Sequence, residues 1–440
     1  MSHPHVTGVQ VPKILLPRTG ICLQKWAVIA CDQFTSEPEY WQEAAELVGD
    51  APSTYHLILP EVFLGTAEED RRVGAIRQAM HDYLAAGLFQ EYEGIVLVER
   101  SALGRTRHGI MLALDLEQYD YRRGATSLIR ATEGTILERI PPRMRIRSAA
   151  ALELPHILVL IDDPERTVIE PLVAVRPDLR VLYDFDLMLG SGHLAGYGVD
   201  DPDLVSGVLS ALGRLADPEL FAARYGLPAG SPAMLFAMGD GNHSLATAKA
   251  IWEQIKPAAA ADHPGRHALV EVVNIHDEGL VFEPIHRVLF GVREGFGPAL
   301  ENFFADRSYS VPCATARTMV ALVDSQRGPE HAFGVVSAEG FAVAYVPDPP
   351  STLPVGTLQA FLDAWGKQGG FDRIDYVHGQ DVAVRLGEQP GNLGFYLPAI
   401  AKRDLFKTVI VDGALPRKTF SMGEAKEKRF YMEARRIEGI

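Results

Sequence analysis

The stretch from Ala233 to Trp252 constrains the fold more than any other part of this chain. An apolar run, Met234–Met238, has the length and composition of a buried strand. It stops at Gly239-Asp240-Gly241, a turn that needs a permissive backbone. Leu245, Ala248, Lys249, Ile251 and Trp252 then recur at helical spacing, and Asn242 or Ser244 is placed to cap the helix. At such a helix start, unpaired main-chain N–H groups and the helix dipole favour an anion. His243 adds a donor or a group that titrates near neutral pH. A capped strand-to-helix turn is the simpler explanation of any one such turn. Asp240, Asn242, His243 and Ser244 crowded into five residues shift the weight toward a site.

At 440 residues the chain exceeds the usual size of a single core. Its apolar fraction of 47% and charged fraction of 22% are those of an ordinary globular protein. No apolar run approaches bilayer-spanning length, and Met1-Ser-His-Pro-His lacks the pattern of a secretory signal. A cytoplasmic protein with no membrane partner is expected. The net charge of −15 argues against general nucleic-acid binding, which needs a basic face. Cys22, Cys31 and Cys313 have no metal-ligand spacing and read as free thiols.

Taken in order, Ile21–Cys31 reads as a strand, followed by Asp32-Gln33-Phe34. Asp32 stands at a strand end, where it either lines a cleft or caps the helix beginning near Pro38. His56–Leu59 reads as a strand, Glu68–Leu88 as a long helix, and 94–100 with 107–116 as a hairpin turning near Gly104. From Arg122 to Arg147 there are seven arginines against two glutamates. Guanidinium grips phosphate or carboxylate bidentately, so an anion site competes with a solvated surface whose arginines pair with acids elsewhere. Asp162-Asp163 ends a strand and suits either Mg²⁺ or an ordinary turn. Asp184–Gly198, with four glycines and His193, fits no nucleotide motif and reads as a mobile loop. His286-Arg287 follows a strand. Thr408–Val411 reads as another strand, and Arg417-Lys418 beside Thr419 and Ser421 as a further anion contact. Mixed sheets with packed helices, an α+β fold of more than one domain, are expected, with parts at 1–150, 151–291 and 292–440.

Several separated motifs resemble those of the bacterial and archaeal family called domain of unknown function 1015. They are Arg130-Ala-Thr-Glu133-Gly-Thr135, Pro155-His156 before Asp162-Asp163, the Gly239–Ser244 turn, and Asn274 through His286-Arg287. Tyr376-Val377-His378-Gly379 and Pro416-Arg-Lys-Thr-Phe-Ser421 complete the set. The commoner family form of the turn, Asp-Gly-His-His-Arg, looks like the phosphate-binding turn of ParB-like and sulfiredoxin-like domains. That group includes free serine kinases and proteins that bind and hydrolyse nucleotides. Here Asp240, Gly241 and His243 match, while Asn242 replaces the first His and Ser244 replaces the Arg. The lost guanidinium is expected from Arg130, Arg139, Arg143 or Arg287.

The resemblance implies phosphoryl transfer or phosphoester hydrolysis on a small anionic metabolite, free serine or phosphoserine foremost, with a nucleotide (ATP or ADP) and Mg²⁺ as the implied cofactors. His243, Asp240 and Asp32 are the expected catalytic residues. Gly241, Asn242, Ser244, Arg130, Glu133, Arg143, His286, Arg287, Arg417 and Lys418 are expected to bind substrate or phosphate. The alternative is a nucleotide- or metabolite-binding regulatory protein without turnover.

Overall fold

The computed structural model describes residues 7–35, 37–134, 138, 140–293, 295–305 and 307–437. The chain divides into two compact units. The first runs to Leu280 and resumes at Gly423, and the second is Val281–Met422. Mixed α+β architecture, as expected from the sequence, holds in both.

A ten-stranded mixed sheet forms the first unit. Its strands lie in the order Arg180–Asp186, His193–Val199, Ile95–Ala102, Arg105–Asp115, His267–Asn274, Leu158–Ile161, Phe236–Asp240, Ile129–Arg130 and Tyr119–Asp120. Val9–Gln10 pairs beside Arg105–Asp115. Successive side chains of a strand face opposite ways, and here both faces are covered. Ile95, Leu97, Ile110, Leu112, Val270 and Val272 join a core with the helices Pro202–Leu215 and Asn242–Ile255. Val96, Val98, Met111 and Leu269 join a second core with Trp26, Trp41, Met80, Phe430 and Tyr431. Burial on both sides places apolar residues at successive positions, as in Ile95–Val98.

The second unit is built on a seven-stranded sheet. Tyr309–Cys313, Gly340–Val346, His331–Ser337, Asn392–Tyr396, Phe282–Phe290 and Arg373–His378 lie in that order, and Phe420–Met422 pairs with Phe282–Phe290. The expected hairpin around Ala338-Glu339 is present.

Four local expectations are corrected. Ile21–Cys31 is not one strand but a short helix, Leu23–Trp26, and a two-residue strand, Val28–Ile29. The Trp26 indole donates to the Met432 carbonyl, so a distant segment fixes this backbone. His56–Leu59 is not a strand, because Thr54–Leu57 forms a 3₁₀ turn capped by the Ser53 hydroxyl. Thr408–Val411 lies in the helix Lys402–Asp412, where Leu405, Phe406, Thr408 and Val409 are buried on one face. Asp184–Gly198 is an edge hairpin rather than a loop. Its glycines allow close approach, since a Cβ at Gly196 would collide with the Tyr183 ring.

Candidate functional site

The focal segment folds as strand Phe236–Asp240 and helix Asn242–Ile255, with Gly241 between them at φ +75°. A left-handed residue is needed there, and a Cβ on Gly241 would stand 3.0 Å from Ile157 Cα. Gly241 is itself the N-cap and no side chain caps the helix, which corrects the expectation of Asn242 or Ser244. The Ser244 and Leu245 amides both donate to the Gly241 carbonyl at 3.0 Å, which closes the first turn. Asn242 Oδ1 is buried and has no hydrogen-bond partner among the described residues.

Neighbouring strands bring the other groups. Leu158–Ile161 runs antiparallel to the focal strand with Leu158 opposite Asp240, which sets His156 beside the helix start. His156 Nε2 lies 3.2 Å from Ser244 Oγ and 3.8 Å from Asp32 Oδ2. Asp32 follows the strand Val28–Ile29 and accepts from the Gln33 side chain at 3.0 Å. Val28–Ile29 pairs with Phe430–Tyr431, so the C-terminal segment enters the site. The Tyr431 hydroxyl lies 2.7 Å from His156 Nδ1 and accepts the Cys31 N–H at 3.2 Å.

Lys428 Nζ is 3.1 Å from Asp240 Oδ2, and Asp240 Oδ1 accepts the Gly241 N–H at 2.9 Å. Burial would raise the Asp240 carboxyl, but Lys428, His156 and the Gly241 amide outweigh it and hold the group below its usual range. Burial, with Asp32 and Glu61 nearby, pushes the Cys31 thiol far up, so it stays protonated and is no nucleophile. Burial, together with Cys31 and Asp32, raises the Tyr431 hydroxyl, which therefore remains a donor.

Arg429 holds this assembly together. Its Nε donates to the Pro155 carbonyl at 3.0 Å, next to His156. Its remaining nitrogens bind Glu271 and Glu433, all three side chains being buried. Tyr183 completes the group by donating to Glu433.

The arginine-rich segment meets the focal helix, since Ile140–Arg147 packs against Asn242–Ile255. Four of its arginines, however, are paired with carboxylates. Arg122 binds Asp120, Arg143 binds Glu61, Arg145 binds Glu69 and Arg147 binds Glu153. Arg130 gives its guanidinium to the carbonyls of Ser127, Pro232 and Ala233, and burial lowers it to about 10. Its strand runs parallel to the focal one, and the Thr132 hydroxyl donates to the Met238 carbonyl, with Glu133 next in the chain. Arg139 lies outside the described residues.

Four expected residues lie in the second unit. His286 Nδ1 accepts the Leu397 N–H at 3.2 Å, and the ring stacks on Tyr396. Arg287 is buried, donating to the Ile285 carbonyl, the Arg417 carbonyl at 3.1 Å and Gln359. The Arg287 and Arg417 guanidinium groups both stand over the Tyr376 ring. Lys418 occupies a left-handed turn position at φ +55°. Asp162-Asp163 sits at the opposite end of its strand from His156. Asp163 accepts the amides of Thr167 and Val168, while Asp162 binds His276 and Tyr225. No group of three or more His, Cys, Asp or Glu among the described residues could hold a metal ion. A Mg²⁺ held mainly by phosphate oxygens needs only one or two carboxylates, and Asp240 supplies one.

Sequence reasoning on single positions missed His156, Lys428 and Tyr431 as members of the site. The Pro155-His156 motif was a signal for the first. Nothing local marks the other two.

Among solved structures, a free serine kinase in complex with AMP aligns at 9% identity and a TM-score of 0.36, covering 75% of this chain and 92% of that one. SbnI with a C-terminal truncation, from Staphylococcus aureus, aligns at 11% identity and 0.34, covering 71% and 82%. A conserved hypothetical protein from Pyrococcus furiosus aligns at 9% and 0.33, covering 72% and 90%. No curated protein matches the chain. No helix among the described residues is long and apolar enough to cross a membrane. The family described as protein of unknown function (DUF1015) matches residues 15–365, most of the length, and the chain belongs to that family.

Proposed function

We propose that the first unit binds a phosphorylated or carboxylated small molecule at the start of the helix Asn242–Ile255. The chemistry is phosphoryl transfer or phosphoester hydrolysis, with free serine or phosphoserine as the leading substrate. One observation carries this reading. Asp240 bridges the Gly241 amide and Lys428 at the mouth of an uncapped helix, with Asp32, His156 and Ser244 converging beside it.

Such chemistry is mainly positioning and charge stabilisation. The amides of the first turn cradle the phosphate. His243 donates to the developing charge on its oxygens. Asp32 takes the proton of the attacking hydroxyl, of serine or of water, as that oxygen bonds to phosphorus and the bond to the leaving oxygen breaks. A nucleoside di- or triphosphate is the donor in transfer, and phosphoserine the substrate in hydrolysis. When bound, Mg²⁺ neutralises phosphate charge, and Asp240 is the carboxylate that would hold it. Arg130 sets the strands beside the turn through three carbonyls, and Arg143 ties the helix Ile140–Arg147 to Glu61.

The test is incubation with ATP or ADP plus serine, and separately with phosphoserine, followed by phosphorus NMR. A new phosphomonoester or free orthophosphate supports the reading. His243→Ala should lower turnover by roughly 100-fold or more with the circular dichroism unchanged. Full turnover in that folded variant would remove His243 from its role. Binding without any change of species would favour a regulatory protein.

A further inference from the structure

We propose that Lys428 is the cation that takes up the ligand's negative charge, exchanging Asp240 for the incoming phosphomonoester or carboxylate. This rests on the anion-binding reading above and names the group that makes it work. In the structure an internal carboxylate already stands where such a ligand would. One oxygen of Asp240 accepts a main-chain amide at the helix start, and the other meets an ammonium 3.1 Å away. An ammonium beside a helix start is a donor suited to a phosphate there.

Composition pointed instead to arginine, and the geometry gives five of those arginines other partners. Arg122, Arg143, Arg145 and Arg147 each bind a carboxylate, and Arg130 binds three carbonyls. Pulling any of them to a ligand would strand a partner. Lys428 differs in two ways. Its three donors leave two beyond the one facing Asp240, so the ammonium can meet a ligand oxygen while Asp240 keeps the Gly241 amide.

The backbone at Lys428 is fixed, so only its side chain has to move. The Lys428 amide donates to the Ala425 carbonyl at 3.1 Å, and the Arg429 carbonyl accepts the Ala30 amide at 2.9 Å. Arg429 is locked between Glu271 and Glu433. The Glu424–Glu427 capping box closes the preceding turn. Four methylenes on a rigid base give a reach of a few ångströms by rotamer change alone. Lys428 also lies beyond residues 15–365, the range of the family match, on the segment that returns to the first unit.

The experiment titrates the full chain with inorganic phosphate and with phosphoserine, read by calorimetry at low salt. Lys428→Met should weaken binding at least 10-fold, and Lys428→Arg should restore most of it. Asp240→Asn should bind phosphate as tightly as the wild type or more tightly, because the ammonium is no longer shared. A purely structural ion pair predicts the opposite for Asp240→Asn, a loss of affinity along with stability. Undiminished binding by a folded Lys428→Met, or weakened binding by a folded Asp240→Asn, overturns the role of Lys428 and leaves the site itself standing. A wild-type protein that binds neither probe overturns both.

Discussion

The Tyr431 hydroxyl lies 2.7 Å from His156 Nδ1 across 275 residues of chain. The Cys31 amide donates to the same tyrosine oxygen at 3.2 Å, which ties the ring to the segment that carries Asp32. His156 Nε2 faces Ser244 Oγ at 3.2 Å and Asp32 Oδ2 at 3.8 Å. His156 is thus held between Tyr431 and Ser244, beside Asp32. Tyr431→Phe leaves a buried ring nitrogen without its hydrogen-bond partner and should cost ~1–3 kcal/mol in urea unfolding. Any turnover should also fall, with the pH profile displaced. An unchanged profile would mean that the Tyr431–His156 contact is immaterial to turnover.

Gly241→Ala places a methyl against Ile157 at a positive φ. The expected cost is about 1–3 kcal/mol, and phosphate affinity should drop because the first amides tilt. Thermal melting and a phosphate titration on the same sample check both.

Arg429 neutralises two buried carboxylates, Glu271 and Glu433. Removing one partner of a buried pair commonly costs ~3–5 kcal/mol. Arg429→Met should reach that range, since it leaves two acids facing each other beside Tyr183 and Arg107. Chemical denaturation would show it, and a loss under ~1 kcal/mol would show that the acids simply take up protons.

The second unit should lose stability on acidification. Burial, aided by Arg287 and His378, lowers His286 to about 4, and burial likewise lowers His331 to about 4. Between that value and the ordinary 6.5, the unfolded chain binds protons that the folded one refuses. Stability therefore rises with pH across this window and is lost as pH falls through it, by roughly 3 kcal/mol at most for each buried imidazole. His286→Asn keeps an acceptor near the Leu397 amide and should flatten the slope, as followed by melting at pH 4 to 7.

The focal turn was legible because its signals are local. Apolar run, glycine turn and helical spacing all fall between Ala233 and Trp252, and the structure differs only in the strand's limits and the cap. The arginine-rich segment was legible as a concentration of charge but not in its use, because pairing depends on acids elsewhere, such as Glu61 and Glu69. Ile21–Cys31 and Thr408–Val411 misled for one reason. β-branched and apolar residues serve a strand or a buried helix face equally, and burial decides.

The sequence alone determined the mixed α+β class, the family and the strand–turn–helix that presents Asp240 through Ser244, since these rest on short-range spacing and composition. Only the tertiary structure decided which distant groups meet that turn. His156 arrives on an antiparallel neighbour, and Lys428 and Tyr431 arrive on a returning segment paired with Val28–Ile29. Strand pairing brings together residues hundreds of positions apart, and the segment that carries Lys428 and Tyr431 has no local pattern that names its partner.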